Sequence, residues 1–402
     1  MERISDLVAK HEAWRSTTLN LIPSENVTSP AVRAALGSDL GHRYTFRVDA
    51  YLHGHIIENA YRGTRWIEAV EERVEELLRE VYTAEAGTAR PLSGHIAGVT
   101  AIAALVPKGG LVMSLRPDDG GYDGYHSPHL PDLMGFTATD LPWDADRFQV
   151  DTNAAVDGIR GSRPDAVVLN QSFVLFPPDL PPIDEACREV GAHLLYDGSH
   201  TLGLVAGGHF QPDAVEHSDI LFGSTHKTFF GPQGGLMVSR SSETLERVRA
   251  SFTLTTQDNA HWNRIAALGV ALEEMRVHGS RYAYQVIRNA KTLARALDEG
   301  GLPVRFADRE YTESHQMMLD TATIEERTGL DPQGLAIRLE SQDIIVDAMC
   351  RLGTNEMTRR SLTEADMEKV ADLIIRAAGG EEVKAEVHDL VSGLELEYVL
   401  EP

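Results

Sequence analysis

The amino-acid sequence predicts an α/β fold, in which a parallel sheet covered on both faces by helices is followed by a smaller second domain. Three observations predict it. Short β-branched or apolar runs alternate with helical stretches between residues 111 and 239; those stretches have an amphipathic period; and the pattern changes near residue 280. Strands alternating with helices pair in parallel, because each crossover lays a helix on a face of the sheet.

Taken in order, residues 1–20 (MERISDLVAKHEAW and the turn after it) read as an amino-terminal arm or helix, charged throughout and without the apolar core of a leader. Over residues 66–82, Ile67, Val70, Val74, Leu77, Leu78 and Val81 recur at helical spacing among glutamates and arginines, which predicts an amphipathic helix. The runs LVMS at 111, AVVL at 166, HLLYD at 193, DILFGS at 219 and LMVS at 236 read as strands, with IDEACREVG as a covering helix. From about residue 280 a long helix (SRYAYQVIRNAKTLARALDEGG) precedes short strands and two further helices, and the acidic end reads as a terminal helix with a trailing tail. The expected division is a large domain over 21–278 and a small one over 279–402.

Composition bounds the function. The 402 residues hold 37 Lys and Arg against 61 Asp and Glu, a formal charge of −24, which repels phosphate backbones and anionic headgroups and excludes nucleic acid and membrane surfaces as expected partners. No stretch reaches the length of a membrane span. Cys187 and Cys350 stand apart with no zinc or CxxC spacing, so both read as thiols in a reducing, cytoplasmic setting.

In an open parallel sheet, ligands sit at the carboxyl ends of the strands. There AVVLNQS delivers Ser172, HLLYDGSH delivers Asp197 and His200, and DILFGSTHK delivers Ser224, His226 and Lys227. Asp197 and Lys227 lie about thirty residues apart, one βαβ unit, and so fall on neighbouring strand ends. An amine that forms an imine and a carboxylate that keeps a pyridine nitrogen protonated suit pyridoxal 5′-phosphate (PLP) chemistry. A lysine after one strand is by itself more often a surface residue, and an Asp more often a turn or cap. No GxGxxG follows the first strand, which argues against a dinucleotide site.

Four segments add a resemblance. LIPSENVTSPAVRAALGSDLGHRY, YDGSHTLGLVAGG, GSTHKTFFGPQGGL and CRLGTNEMTRR resemble, in order, the signatures of serine hydroxymethyltransferases. The resemblance implies PLP fold type I, the aspartate aminotransferase fold, with a mostly parallel seven-stranded sheet in the large domain and an α+β carboxyl-terminal domain. It implies that Lys227 is the Schiff-base lysine, that Asp197 pairs with the pyridine nitrogen, that His200 lies beside the ring, and that Ser172 serves the phenolic oxygen. His226 and Ser224 flank the lysine in the same motif. Ser93-Gly94-His95 takes the place of the family's S-G-S phosphate loop at a helix start. Ser24, Glu25 and Arg351 match the substrate-binding segments, with Arg351 and Ser24 on the substrate carboxylate. The resemblance also implies a homodimer with shared active sites, Tyr44 reaching the neighbour's phosphate and Tyr61 acting in the same region. Where the family has a glycine-rich cross-subunit loop this chain has TTQDNAH, which offers Gln257 and Asn259 for that work.

The departures cluster on the folate side. The family glutamate that serves hydroxymethyl and folate chemistry is replaced within Thr45-Phe46-Arg47, an insertion brings in His53 and His55, and the N-S-V-P segment is missing between Val346 and Met349. The ring-stacking histidine aligns with Tyr122, and the arginine of G-P-R-G-G is Gln233. The expected activity is therefore aldolase or transaldolase cleavage and formation of β-hydroxy-α-amino acids such as L-threonine or L-serine through a cofactor-stabilised carbanion, without tetrahydrofolate, as in specialised metabolism. His200 or His226 is the candidate base. The alternatives are a tetrahydrofolate-dependent serine or α-methylserine hydroxymethyltransferase, a transaminase or racemase, and a non-catalytic homologue. His53, His55, Asp119, Asp123, His126 and His129 form a candidate divalent-metal set.

Overall fold

The computed structural model describes residues 2–45, 47–52, 55–253, 255–349 and 351–400, with 47–52 and 55–58 described by backbone alone. Phe46, His53 and Cys350 lie outside the described residues, as does the side chain of His55. The chain divides into two compact units, one of Met1–Asn26 with Arg281–Val399, the other of Val27–Ser280 with Leu400–Pro402.

The larger unit is organised by a seven-stranded sheet. Its strands are β1 (Ala86–Thr88), β2 (Leu111–Ser114), β3 (Thr137–Asp140), β4 (Ala166–Leu169), β5 (His193–Asp197), β6 (Ile220–Ser224) and β7 (Gly235–Ser239), in the order β1-β7-β6-β5-β4-β2-β3. The run β6-β5-β4-β2-β3 is parallel throughout, and only β7 runs against both its neighbours. This is the fold class expected from the sequence. Every residue of β4, β6 and β7 is buried, because helices cover both faces and each strand has two dry sides.

Strand β2 has β3 on one side and β4 on the other, so the chain runs outward from β2 to β3 and then crosses back over β2 to β4. That reversal opens a crevice at the carboxyl ends of the strands. The predicted amphipathic helix spans Arg65–Tyr82 and buries Ile67, Val74, Leu77, Leu78 and Tyr82. Each such side chain contributes roughly 1.5–3 kcal/mol. Thr83, at φ 53°, ends it in the left-handed conformation.

The long helix differs from expectation. It begins at Trp262, well before residue 280, and runs to Glu299. Its first half buries Ile265, Ala267, Leu268, Ala271, Leu272 and Met275, so tertiary burial carries the turns before the expected start. Gly269 marks a close approach there: a Cβ would lie 2.8 Å from Val74 Cγ2.

The smaller unit pairs Leu19–Asn20 in parallel with Ile344–Ile345 and Gln316–Met318 antiparallel with Arg351–Gly353. Its core gathers Leu19, Leu21, Leu293, Leu297, Met317, Leu352 and Ile374. The acidic end forms a helix over Lys384–Val391 and continues without helix.

At the amino edge of the sheet, Arg240 donates to both oxygens of Asp184 and to Asp219, each at 2.8 Å, while Asp219 also accepts from the Leu194 N–H at 3.0 Å. Burial works to raise the Asp219 carboxyl, but its bonds to His193 and Arg240 outweigh burial and bring it down to about 2. Replacing Arg240 by Leu removes one of the two guanidinium forks on the almost fully buried Asp184, leaving that of the more exposed Arg188, and is expected to destabilise the protein by about 1–3 kcal/mol in urea unfolding. A folded carboxyl held below its unfolded value of about 3.9 stabilises above that pH and loses the effect as pH falls toward 2. Arg240→Leu should therefore also flatten the acid limb of the stability curve; an unchanged limb would refute the assignment.

Candidate active site

The crevice at the ends of β4, β5 and β6 holds a cavity of about 110 Å³ lined by His95, Tyr122, Asn170, Gln171, Ser172, Asp197, Ser199, His200, Ser224 and Lys227. Three consecutive strand ends supply most of these groups because parallel strands point all their carboxyl ends one way. Lys227 follows β6, and its Nζ lies 3.1 Å from His200 Nε2. The His200 carbonyl accepts from the Thr228 hydroxyl at 2.8 Å, and that hydroxyl accepts from the Gly203 N–H at 3.1 Å, so the two turns are tied together.

Asp197 ends β5. Its Oδ1 accepts from the Ser199 hydroxyl at 2.5 Å and the Ser199 N–H at 3.0 Å. Burial raises this carboxyl above the ordinary carboxylate range, opposed by Ser199, the charge of Lys227 and the Tyr125 hydroxyl. The Ser199 hydroxyl also accepts from the Ser224 N–H at 3.1 Å, which links the ends of β5 and β6.

The helix Gly94–Leu105 points its amino end into the same crevice. Ser93 caps it, accepting from the Ile96 N–H at 3.1 Å. A Cβ on Gly94 would lie 2.5 Å from Ser224 Oγ and 2.6 Å from its N, so only glycine lets the turn come this close. Twelve aligned peptides leave free N–H groups and a positive end there, the physical requirement for an anion.

Tyr122 covers one side. Its hydroxyl lies 3.1 Å from His95 Nδ1, and burial, with the charges of Asp197 and Asp123, raises its pKa. Asn170 holds the Tyr122 loop against β2 and β4: it accepts from the Leu115 N–H at 2.9 Å and donates to the carbonyls of Leu115 and Tyr122 at 3.1 and 3.2 Å. The Ser172 N–H donates to the Gly120 carbonyl at 2.8 Å.

The structure thus gathers His95, Tyr122, Ser172, Asp197, His200, Ser224 and Lys227 at one cavity, with Ser93 and Gly94 at the helix start beside it. His226, Tyr44, Tyr61, Gln257 and Asn259 do not line it. Tyr44 donates to Asp258, a bond that with burial pushes it up to about 12, and its ring centroid lies 5.2 Å from that of Tyr61. The Gln257 carboxamide accepts from the Leu92 N–H at 3.2 Å and donates to the Arg90 carbonyl at 2.8 Å, so its side chain braces the chain entering the Ser93-Gly94-His95 turn.

Ser24, Glu25 and Arg351 belong to the smaller unit. Glu25 accepts from Arg15 at 2.7 Å and Asn20 at 2.9 Å, and Arg351, its pKa lowered by burial, donates to Asp347 at 3.0 Å.

Of the candidate metal set, His126 Nε2 lies 3.1 Å from Ser114 Oγ and 3.0 Å from the Leu115 carbonyl, and Asp119 pairs with Arg116 at 3.0 Å. His129 precedes the short helix Leu130–Met134, and Asp123 opens a 3-10 turn. Among the described residues no group of three or more His, Cys, Asp or Glu could hold a metal ion. Cys187 is buried, and burial pushes its thiol up to about 12.

Asn170, Ser199 and Tyr125 escaped the sequence reading. Their partners are main-chain groups or carboxylates that only the fold brings near, and the one visible signal was their place close to Ser172, Asp197 and Tyr122 in the same segments. Gln171 is 5 % exposed, lines the cavity, and has neither its amide N–H₂ nor its carbonyl oxygen bonded. Such a group is tolerated where a ligand or water completes it. An imine-forming amine, a buried carboxylate, a helix amino end held open by glycine and an unspent amide together fit PLP.

Comparison with known proteins agrees. The serine hydroxymethyltransferase family model matches residues 2–374. The serine hydroxymethyltransferase of Methanosphaera stadtmanae is 37% identical over 388 residues, covering 93% of this chain and 89% of that protein. That of Methanothermobacter marburgensis is 35% identical over 407 residues, covering 97% and 93%. The crystal structure of L-threonine transaldolase from Pseudomonas fluorescens superposes with a TM-score of 0.87 at 28% identity, covering 98% of this chain and 92% of that one. No described helix is long and apolar enough to cross a membrane. With the sheet, the strand-end cavity and these relatives in agreement, the chain belongs to the serine hydroxymethyltransferase family and is a PLP-dependent, fold type I enzyme of aldolase-type amino-acid chemistry.

Proposed function

We propose that this enzyme cleaves and forms β-hydroxy-α-amino acids of the L-threonine or L-serine type without folate, as an aldolase or transaldolase. The observation that carries the reading is the replacement of the folate-side glutamate within Thr45-Phe46-Arg47, while the groups suited to the cofactor gather at one cavity. The likeness to a threonine transaldolase over nearly the whole chain supports it.

When bound, PLP supplies an electron sink that stabilises negative charge at the substrate Cα. In this reading Lys227 carries the cofactor and His200 sets the orientation of its amine. Asp197 holds a proton on the ring nitrogen, and Ser199 keeps that carboxylate ionised against the cost of burial. The Ser93-Gly94-His95 turn holds the phosphate, Ser172 the phenolic oxygen, and Ser224 and His226 support the lysine turn. Arg351 and Ser24, with Glu25 beside them, are the proposed substrate-carboxylate group, where a guanidinium fork matches a carboxylate better than an ammonium. The homodimer, with Tyr44 and Tyr61 serving a neighbouring copy, and the cytoplasmic location are part of the proposal.

The test is acetaldehyde release from L-threonine by PLP-loaded protein, with and without tetrahydrofolate, with Lys227→Ala as the blank. Release without folate is the expected result. Turnover of serine or α-methylserine only when tetrahydrofolate is present would replace this reading with a hydroxymethyltransferase.

A further inference from the structure

Two departures from the family pattern stand in contact. The third residue of the phosphate turn is His95 rather than serine, and the ring-covering position is Tyr122 rather than histidine. In the folded chain the Tyr122 hydroxyl lies 3.1 Å from His95 Nδ1, with the ring centroids 5.9 Å apart and edge-on. The imidazole has not left the site. It stands at the helix amino end against the Tyr122 phenol, and both side chains line the cavity.

The substrate's β-hydroxyl needs a partner that can take a proton, and Phe46 supplies none. Among the described residues lining the cavity, the other groups are engaged. Asp197 accepts twice from Ser199, His200 lies against Lys227, and Asn170 is spent on Leu115 and Tyr122. Neither a serine hydroxyl nor a phenol titrates near neutrality, so a hydroxyl can take such a proton only by passing on its own, and that of Tyr122 stands 3.1 Å from an imidazole nitrogen, His95 Nδ1. Tyr122 is 37% exposed, whereas Tyr125, its edge-on neighbour, is 1% exposed, so the Tyr122 hydroxyl can be reached by a substrate.

We infer that Tyr122 takes the proton of the substrate's β-hydroxyl, with His95 as the positioning residue that accepts the phenol's own proton. The assignment rests on the aldolase reading above. In cleavage the β-O–H bond breaks and its proton goes to Tyr122 Oη, while the phenol proton moves to His95 Nδ1. The Cα–Cβ bond breaks, its electron pair stays with Cα, and the β-carbon leaves as an aldehyde. In the synthetic direction the imidazolium returns the proton through the phenol to the new hydroxyl. The charged or titratable groups around the pair are Asp123 and Tyr125 on its own loop, Asp197 at the end of β5, and His200 and Lys227 across the cavity.

Tyr122→Phe and His95→Asn test this on the PLP-loaded protein. Phenylalanine keeps the ring and loses only the hydroxyl; asparagine keeps an acceptor near Nδ1 but cannot take a proton. Each is expected to lower kcat for cleavage of L-threonine by roughly 10²-fold or more, the range of one general base, with KM little changed. Exchange of the glycine α-proton for deuterium uses the same cofactor and has no β-oxygen, so the ratio of cleavage to exchange should fall by roughly 10²-fold even where loss of either side chain weakens both. On cofactor-free protein, ¹⁵N-histidine NMR should show the His95 Nδ1 resonance shifting in Tyr122→Phe. Cleavage and exchange falling together, with weaker PLP binding, would mean that Tyr122 only covers the ring and would overturn the assignment. Unimpaired cleavage in Tyr122→Phe would overturn it as well. A wild-type protein that exchanges glycine yet cleaves no β-hydroxy amino acid would remove the aldolase reading, and this assignment with it.

Discussion

Lys227→Ala is expected to lose the visible imine absorbance on addition of PLP and to lose amino-acid turnover by roughly 10³-fold or more, with the fold retained. Among the described residues that line the cavity no other amine can stand in for it, and the His200 imidazole, with Nε2 at 3.1 Å, cannot form an imine with an aldehyde. The fold should tolerate the change because the turn is held by main-chain and hydroxyl bonds through Thr228, not by the amine. The measurement is an absorbance titration with PLP beside a threonine-cleavage assay. An unchanged imine band would show that another lysine carries the cofactor.

Asp197→Asn is expected to separate activity from stability. Asparagine fills the same volume but cannot pair as an anion with a protonated ring nitrogen, so turnover should drop by roughly 10²–10³-fold, the scale of one lost preorganised electrostatic partner. Cofactor-free stability should move the other way. Burial raises the Asp197 carboxyl above its unfolded value, so the folded chain holds the proton more tightly than the unfolded chain does. That is a penalty on the ionised form, absent below the unfolded value near 4 and fully present once pH exceeds the raised folded value. The asparagine variant should therefore equal or exceed wild type in urea unfolding at neutral pH, with the gap closing on acidification. A variant less stable than wild type at neutral pH would show that Ser199 and Tyr125 more than repay the burial.

What could be read without coordinates followed from local chemistry. The alternation of apolar runs and amphipathic helices predicts the parallel sheet because burial on two faces leaves strands no polar positions, as in β4, β6 and β7. Lys227, Asp197, His200 and Ser172 are legible because each follows an apolar run directly, and parallel strands all end at one edge. The start of the long helix was not legible, because its first half is carried by tertiary burial, with Gly269 close against Val74, and not by its local pattern.

Gln257 shows the same limit in the site. Its residue type and position pointed to a phosphate, and the fold spends its amide on Arg90 and Leu92. The Tyr122–His95 contact joins residues 27 positions apart that share no motif. The sequence by itself determined the sheet, the lysine and carboxylate at its edge, and the family. Only the tertiary structure decided which polar groups are already paired and which remain to act, because hydrogen bonds between strand ends, loops and helix starts depend on distances that no residue pattern encodes.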